Sequence, residues 1–191
     1  MKKREFAILC QIIICSLILF MPRTGAAFGF DAAKRFESAK VTFPAPDSTQ
    51  AEKYLGLKAM KPFTVGDVKA KVVVIEFMSA LCEYCSLNSK VMNNIYKTVQ
   101  ENPQLAANAK VMAIGMANSD AELNAFKKQH GVLFPMLNDA DGSIGTAMGN
   151  MPTPTTLIVS TATGKVLFSH VGVIWSSDGF VKKIENLINK S

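Results

Sequence analysis

The chain has 191 residues, 49% of them hydrophobic, with 21 Lys and Arg against 15 Asp and Glu for a formal charge of +6. That length suits one domain of ordinary size and leaves little room for two. The basic residues stand singly or in short groups, so they form no stripe of the kind nucleic-acid binding uses, and that class is set aside.

Residues 1–27 read differently from the rest. Lys2, Lys3 and Arg4 precede an apolar run from Phe6 to Met21 broken only by Gln11 and Ser16, and Gly25, Ala26 and Ala27 follow. Basic, apolar and small-residue regions in that order spell a secretory signal peptide cut after Ala26 or Ala27, and about 16 residues at ~1.5 Å each fall short of a ~30 Å bilayer core. An uncleaved N-terminal membrane anchor is the alternative, because Arg23 and the strongly apolar run favour retention. Both readings place the domain outside the cytoplasm, in the periplasm of a Gram-negative cell. Without this segment 17 basic and 14 acidic residues remain, a formal +3, and the cysteines fall from four to two. Cys10 and Cys15 read as apolar filler; Cys82 and Cys85 stay.

Residues 28–61 are mixed and polar, a lead-in segment with room for one short strand or helix. The domain proper is expected over residues 62–191. Val72 to Met78 is a run rich in β-branched residues that predicts a strand buried on both faces. A helix should follow from about Cys82 to Gln100, with Leu87, Val91, Ile95 and Val99 as its inner face, until Asn102 and Pro103 end it. Residues 111–116 read as a second strand. Ser119 and Glu122 form a capping-box pair opening a helix that stops at Gly131. Residues 134–137 make a short strand, 139–142 a turn and 143–148 a short helix. Residues 155–159 and 165–170 pair as a hairpin, and Phe180 to Asn189 closes the chain as an amphipathic helix. Strand-helix alternation, then a hairpin and a last helix, predicts an α/β layer structure on a mixed sheet.

Cys82 falls where the buried strand hands over to the helix, so free backbone N–H groups and the positive end of the helix dipole favour its thiolate. Cys85 sits one turn on, within reach but more buried. That spacing suits thiol-disulfide exchange: Cys82 attacks a partner disulfide, and Cys85 resolves the mixed disulfide within the same chain. A loop this short is a poor structural disulfide, because closing it removes little unfolded-chain entropy.

The stretch from Val74 to Cys85 resembles the active-site strand and helix start of thioredoxins. Phe134 to Asp139, Thr153 to Ile158 and Gly164 to Val166 resemble the exported TlpA/ResA-like branch and the peroxiredoxin-like (AhpC/TSA) redoxins. The resemblance covers roughly residues 40–190 and implies a thioredoxin-like fold with a strand-helix insertion. The 68 residues between Cys85 and Pro154 have room for that insertion. It also implies that Pro154 is the cis-proline facing the cysteines, with Thr153 offering its N–H and C=O to an extended substrate, while Pro152 is an ordinary trans proline. Glu76, six positions before Cys82, stands where thioredoxins carry a buried acid; the expectation is a raised pKa and proton relay to or from Cys85. The competing reading pairs Glu76 with Lys71 or another lysine as a structural ion pair. Glu83 and Tyr84, between the cysteines, are expected to tune potential and partner choice.

Leu81 stands where the family usually has Trp, and Asn88 where many of its members have Glu, so a mechanism needing that second acid does not carry over. Trp175 is read as packing, and His130 and His170 carry no signal of chemistry. The resemblance implies a reductase of exported protein disulfides, for cytochrome c maturation or thiol repair, fed by a membrane thiol-disulfide donor and acting as a monomer. No nucleotide or flavin motif is visible, so the two thiols are expected to be the whole redox equipment. The alternatives are a peroxiredoxin-type peroxidase, which lacks a candidate Arg because Arg35 precedes the expected fold, a DsbA-like oxidase, and a metal-binding chaperone. Haem attachment would need His where Ser86 stands.

Overall fold

The computed structural model describes residues 31–149 and 151–190, so the signal or anchor expected over residues 1–27 lies outside the described residues. A five-stranded sheet in the order β3-β2-β1-β4-β5 carries the fold. Its strands are β1 (Val72–Met78), β2 (Ala109–Met116), β3 (Met136–Asp139), β4 (Thr155–Ser160) and β5 (Val166–Val171). All seven residues of β1 are buried, Glu76 among them, as befits the central strand of a sheet covered on both faces. β1 pairs in parallel with β2 and antiparallel with β4, β2 pairs in parallel with β3, and β4 and β5 form the expected hairpin.

Helices cover the two faces. In chain order they are α1 (Ala32–Ala39), α2 (Thr49–Leu55), α3 (Glu83–Glu101), α4 (Pro103–Asn108), α5 (Asp120–His130), α6 (Ser143–Ala147) and α7 (Ser177–Ile188). Val72, Val74 and Met78 of β1 pack with Met92, Ile95 and Val99 of α3 and with Phe180, Ile184 and Ile188 of α7 in one apolar cluster. The opposite face meets the N-terminal elements, where the Phe77 ring of β1 lies 6.2 Å from Phe36 of α1 and Phe36 lies 6.5 Å from Phe43.

That second layer corrects the reading of residues 28–61. They hold two helices, Phe43 forms a bridge to Phe63 just beyond the segment, and Phe36, Phe43 and Leu55 are buried in the core. At eight and seven residues the helices are too short to display a clear period, which is why the sequence reads as a lead-in. Arg35 is likewise no preliminary to the fold: its Nη1 donates to the carbonyls of Met148 and Gly149, at 3.3 and 3.4 Å, just before the segment that ends at Pro154.

Local signals mostly decide the boundaries. Ser119 and Glu122 close a full capping box on α5, and Gly131 ends that helix in the left-handed conformation at φ 56°. The Asn102 side chain ends α3 by capping α4, which begins at Pro103. β3 starts two residues later than expected. Pro135 has no N–H for the ladder, yet its carbonyl accepts from Ala113 N at 2.9 Å, so the chain joins the sheet there before β3 proper begins.

The inner face of α3 also differs. Leu87 is exposed and Val91 only half-buried, whereas Cys85, Asn88, Ser89, Met92, Ile95 and Val99 are buried. Two polar residues, Asn88 and Ser89, occupy the inward stripe near the helix start, so an apolar count alone rotates that end of the helix the wrong way.

Candidate active site

Where β1 ends, the chain turns through Ser79 to Leu81 and enters α3 with Cys82 as the N-cap residue, in extended conformation. The turn is held by Cys82 N donating to Ser79 O at 3.1 Å and by Ala80 N donating to Asn118 Oδ1 at 3.0 Å. Cys82 O accepts from the N–H groups of Cys85 and Ser86 at 3.1 and 3.2 Å, which starts the helix and sets the second sulfur one turn further in. Cys82 is half-buried, Cys85 is buried, and both are free thiols.

Opposite Cys82 lies the Thr153–Pro154 peptide, the cis bond that the resemblance implied. The Cys82 thiol donates to Thr153 O at 3.3 Å. Pro154 O in turn accepts from Gly172 N at 2.8 Å, binding the loop after β5 to the same end of the sheet. That loop continues to Ile174, whose N–H donates to Asn88 Oδ1 at 2.9 Å. Three loops thus converge at the C-terminal end of β1, fastened to one another and to α3 by these hydrogen bonds.

The two thiols differ sharply in acidity. Burial disfavours the Cys82 thiolate, but the Cys85 thiol, the Thr153 side chain and the backbone N–H groups of Cys85 and Tyr84 favour it, and together they lower its pKa below that of an ordinary thiol. Burial pushes Cys85 well up, and the hydrogen bond to Cys82 and the charges of Cys82 and Glu76 add to the effect. Cys82 is thus the more acidic thiol of the pair and Cys85 the one that holds its proton.

Glu76 is the buried acid of β1. Burial raises its pKa to about 7, against a lowering by the hydrogen bond that Asn88 Nδ2 donates to its Oε1 at 2.8 Å. Its partner is an amide rather than a lysine; Lys71 gives its ammonium to Ile188 O at 3.2 Å. Asn88 is fully buried and uses both ends of its amide, with Nδ2 on Glu76 and Oδ1 on Ile174. From the sequence it appeared only as a departure from a family acid. The one signal available was a polar residue one turn after Cys85 on the cysteine side of the helix.

Large apolar side chains stand exposed close to Cys82 in the chain and on the loop bound to Asn88. Leu81 is 77% exposed and Tyr84 63%, on either side of Cys82 in sequence, and Trp175 is 87% exposed beside the Asn88-bound residue Ile174. This corrects the reading of Trp175 as packing. Glu83 is exposed in the first turn of α3. His130 ends α5 against the Phe126 ring, at 4.4 Å between centroids, and His170 Nε2 lies 3.0 Å from Val173 O.

A model of the AhpC/TSA family matches residues 41–168. Among curated proteins, the chain is 24% identical over 178 residues to the thiol-disulfide oxidoreductase ResA of Geobacillus thermodenitrificans, covering 93% of this chain and 94% of that protein. It is 28% identical over 117 residues to ResA of Bacillus subtilis, covering 61% of this chain and 62% of that one. Among solved structures, a secreted disulfide oxidoreductase of Mycobacterium tuberculosis homologous to E. coli DsbE superposes with a TM-score of 0.55 at 18% identity, over 78% of this chain and 98% of that chain. Likenesses of that kind carry the fold, which is thioredoxin-like.

Proposed function

The chain belongs to the AhpC/TSA family and is a thiol-disulfide oxidoreductase, and we propose that it works as a reductase of disulfides in exported proteins, with Cys82 as the attacking and Cys85 as the resolving thiol. The observation that carries this reading is the asymmetry of the pair: a half-buried, acidified Cys82 facing the cis Thr153–Pro154 peptide, backed by a buried, proton-holding Cys85.

The geometry supports the following sequence. An extended segment of the substrate lies along Thr153, using that residue's N–H and C=O, and brings its disulfide to Cys82. The Cys82 thiolate attacks, and a mixed disulfide forms while one substrate sulfur leaves. Cys85 then attacks Cys82 Sγ and releases the second substrate sulfur, closing the Cys82–Cys85 disulfide. Cys85 must lose its proton for that step. Glu76, close enough for its charge to raise the Cys85 pKa and itself titrating near neutrality, is the group to take it. The exposed Glu83 carboxylate beside Cys82 opposes thiolate formation and favours a less oxidising pair, as a reductase needs; Tyr84 offers apolar surface to the partner.

The two thiols are the whole redox equipment in this reading, and a membrane thiol-disulfide donor restores them. The export-type sequence of residues 1–27 supports action outside the cytoplasm. Cytochrome c maturation and repair of exported thiols are the candidate settings, with the protein acting as a monomer.

The deciding experiment is the reduction potential of the Cys82–Cys85 pair, set by equilibration against glutathione and dithiothreitol buffers with thiol trapping. A value near or below about −250 mV is expected, and one near about −120 mV would make the protein an oxidase of the DsbA kind.

A further inference from the structure

Two strand registers place three polar residues in one row. Glu76 of β1 lies opposite Thr156 of β4, and Thr156 lies opposite His170 of β5. Residues directly opposite in antiparallel pairs share a face of the sheet, with Cβ atoms about 4.5–5.5 Å apart. Glu76 meets Asn88 of α3, so the row runs across the face that α3 and α7 cover. The positions flanking the row on that face are apolar. Val74 and Met78 flank Glu76, while Ile158 and Phe168, two residues from Thr156 and His170, belong to or pack on the same hydrophobic cluster.

Thr156 is 0% exposed, and its Oγ1 has no hydrogen-bond partner among the described residues. Its neighbour Thr155, by contrast, gives its hydroxyl to Pro152 O at 2.6 Å. A buried hydroxyl without a partner carries its desolvation penalty uncompensated, and valine would fill the same space without it. At the end of the row His170 is half-buried. Its Nε2 lies 3.0 Å from Val173 O, and a carbonyl can only accept, so Nε2 carries the hydrogen and Nδ1 is left as the basic nitrogen.

We propose that Thr156 and His170 form the proton route between buried Glu76 and solvent. The proposal rests on the reading of Glu76 as the base that serves Cys85. The groups facing Glu76 are Cys85 and Asn88 from α3, Thr156 from β4 and Ala113 from β2, and of these only Cys85 titrates. When Cys85 attacks the mixed disulfide, the Cys82–Cys85 bond forms and the bond from Cys82 to the substrate breaks. The electron pair leaves on the substrate sulfur, and the Cys85 proton passes to Glu76. Glu76 must shed that proton before the next turnover. The Thr156 hydroxyl receives it while handing its own hydrogen on to His170 Nδ1, directly or across one water, and the imidazolium releases a proton to solvent.

The test uses Thr156→Val, His170→Gln and Glu76→Gln in the full chain. Each protein, kept reduced by dithiothreitol, turns over a disulfide-bonded peptide near pH 7 in H2O and in D2O. Thr156→Val and His170→Gln are expected to slow turnover about five- to tenfold, less than the 10²–10⁴-fold that a general base itself contributes. Both should enlarge the solvent isotope effect at an unchanged reduction potential. Added imidazole should restore His170→Gln and not Thr156→Val, a rescue that a merely structural role would not produce. Thr156→Val should melt no lower than the parent, which separates the route from a folding defect.

Parental rates and isotope effects in Thr156→Val and His170→Gln, with Glu76→Gln slow, overturn the route and leave Glu76 as the base. Parental rates in all three overturn the route and the Glu76 role together while sparing the thiol chemistry. A parent that does not reduce the peptide at all overturns the proposed function as well.

Discussion

Asn88 Nδ2 stands 2.8 Å from Glu76 Oε1 while the other end of the same amide accepts the Ile174 N–H at 2.9 Å. The Ile174 N–H sets the orientation of the amide: a backbone donor needs the oxygen, so the nitrogen must face the carboxyl. Replacing Asn88 by Leu removes both bonds. It should raise the Glu76 pKa above about 7 and, by leaving the Ile174 N–H unpaired, destabilise the fold by about 1–3 kcal/mol. Carboxyl titration followed by NMR and urea unfolding would check the two effects separately. An unchanged Glu76 titration would remove Asn88 from the site.

Glu76 makes stability depend on pH in a defined direction. Its folded pKa of about 7 is raised from 4.5, so between those values the folded state holds a proton that the unfolded state has lost. Stability from this group is therefore complete below about pH 4.5 and is lost as pH rises through 7, by an amount on the order of 3 kcal/mol. Glu76→Gln removes this dependence. The difference in unfolding free energy between parent and variant, measured from pH 4 to 8, should grow in the variant's favour toward pH 8. A constant difference would show that the carboxyl does not titrate in this range.

The contrast between the thiols predicts selective chemistry. At neutral pH iodoacetamide should label Cys82 and spare Cys85, with peptide mass spectrometry as the readout. Cys82→Ser should abolish disulfide reduction, whereas Cys85→Ser should accumulate the mixed disulfide with a substrate peptide. Labelling of both thiols at equal rates would contradict the assignment.

Trp175, 87% exposed on the loop bound to Asn88, has little packing to lose. Trp175→Ala should leave stability within about 0.5 kcal/mol. It should raise KM for a protein disulfide roughly five- to thirtyfold with kcat held, as loss of an exposed aromatic anchor worth ~1–2 kcal/mol would. Steady-state kinetics on a protein substrate and on a small disulfide would separate docking from chemistry, because the small substrate should not feel the change.

Much of this architecture was legible beforehand because the signals were local. β1 announces itself by a β-branched run, α5 by Ser119 and Glu122 and its end by Gly131, and Glu76 by being the lone acid within that buried run. What stayed hidden depends on contacts far apart in sequence. Asn88 takes its meaning from Glu76 and Ile174, 12 and 86 positions away, and a polar residue facing inward counts against its face in any hydropathy period. Phe36 and Phe43 show as core only once the Phe77 ring is placed on the face of β1 turned away from α3. Trp175 is apolar by composition and exposed by topology, and only the loop geometry separates the two.

The hydrogen bond from the Cys82 thiol to Thr153 O can exist only while the sulfur keeps its proton. On ionisation the sulfur has nothing left to donate, and the Thr153 carbonyl regains the lone pair that the thiol had engaged. In the proposed reading the proton that leaves Cys82 therefore changes two atoms at once: the sulfur turns from donor to nucleophile, and the oxygen facing it gains room for a second backbone donor.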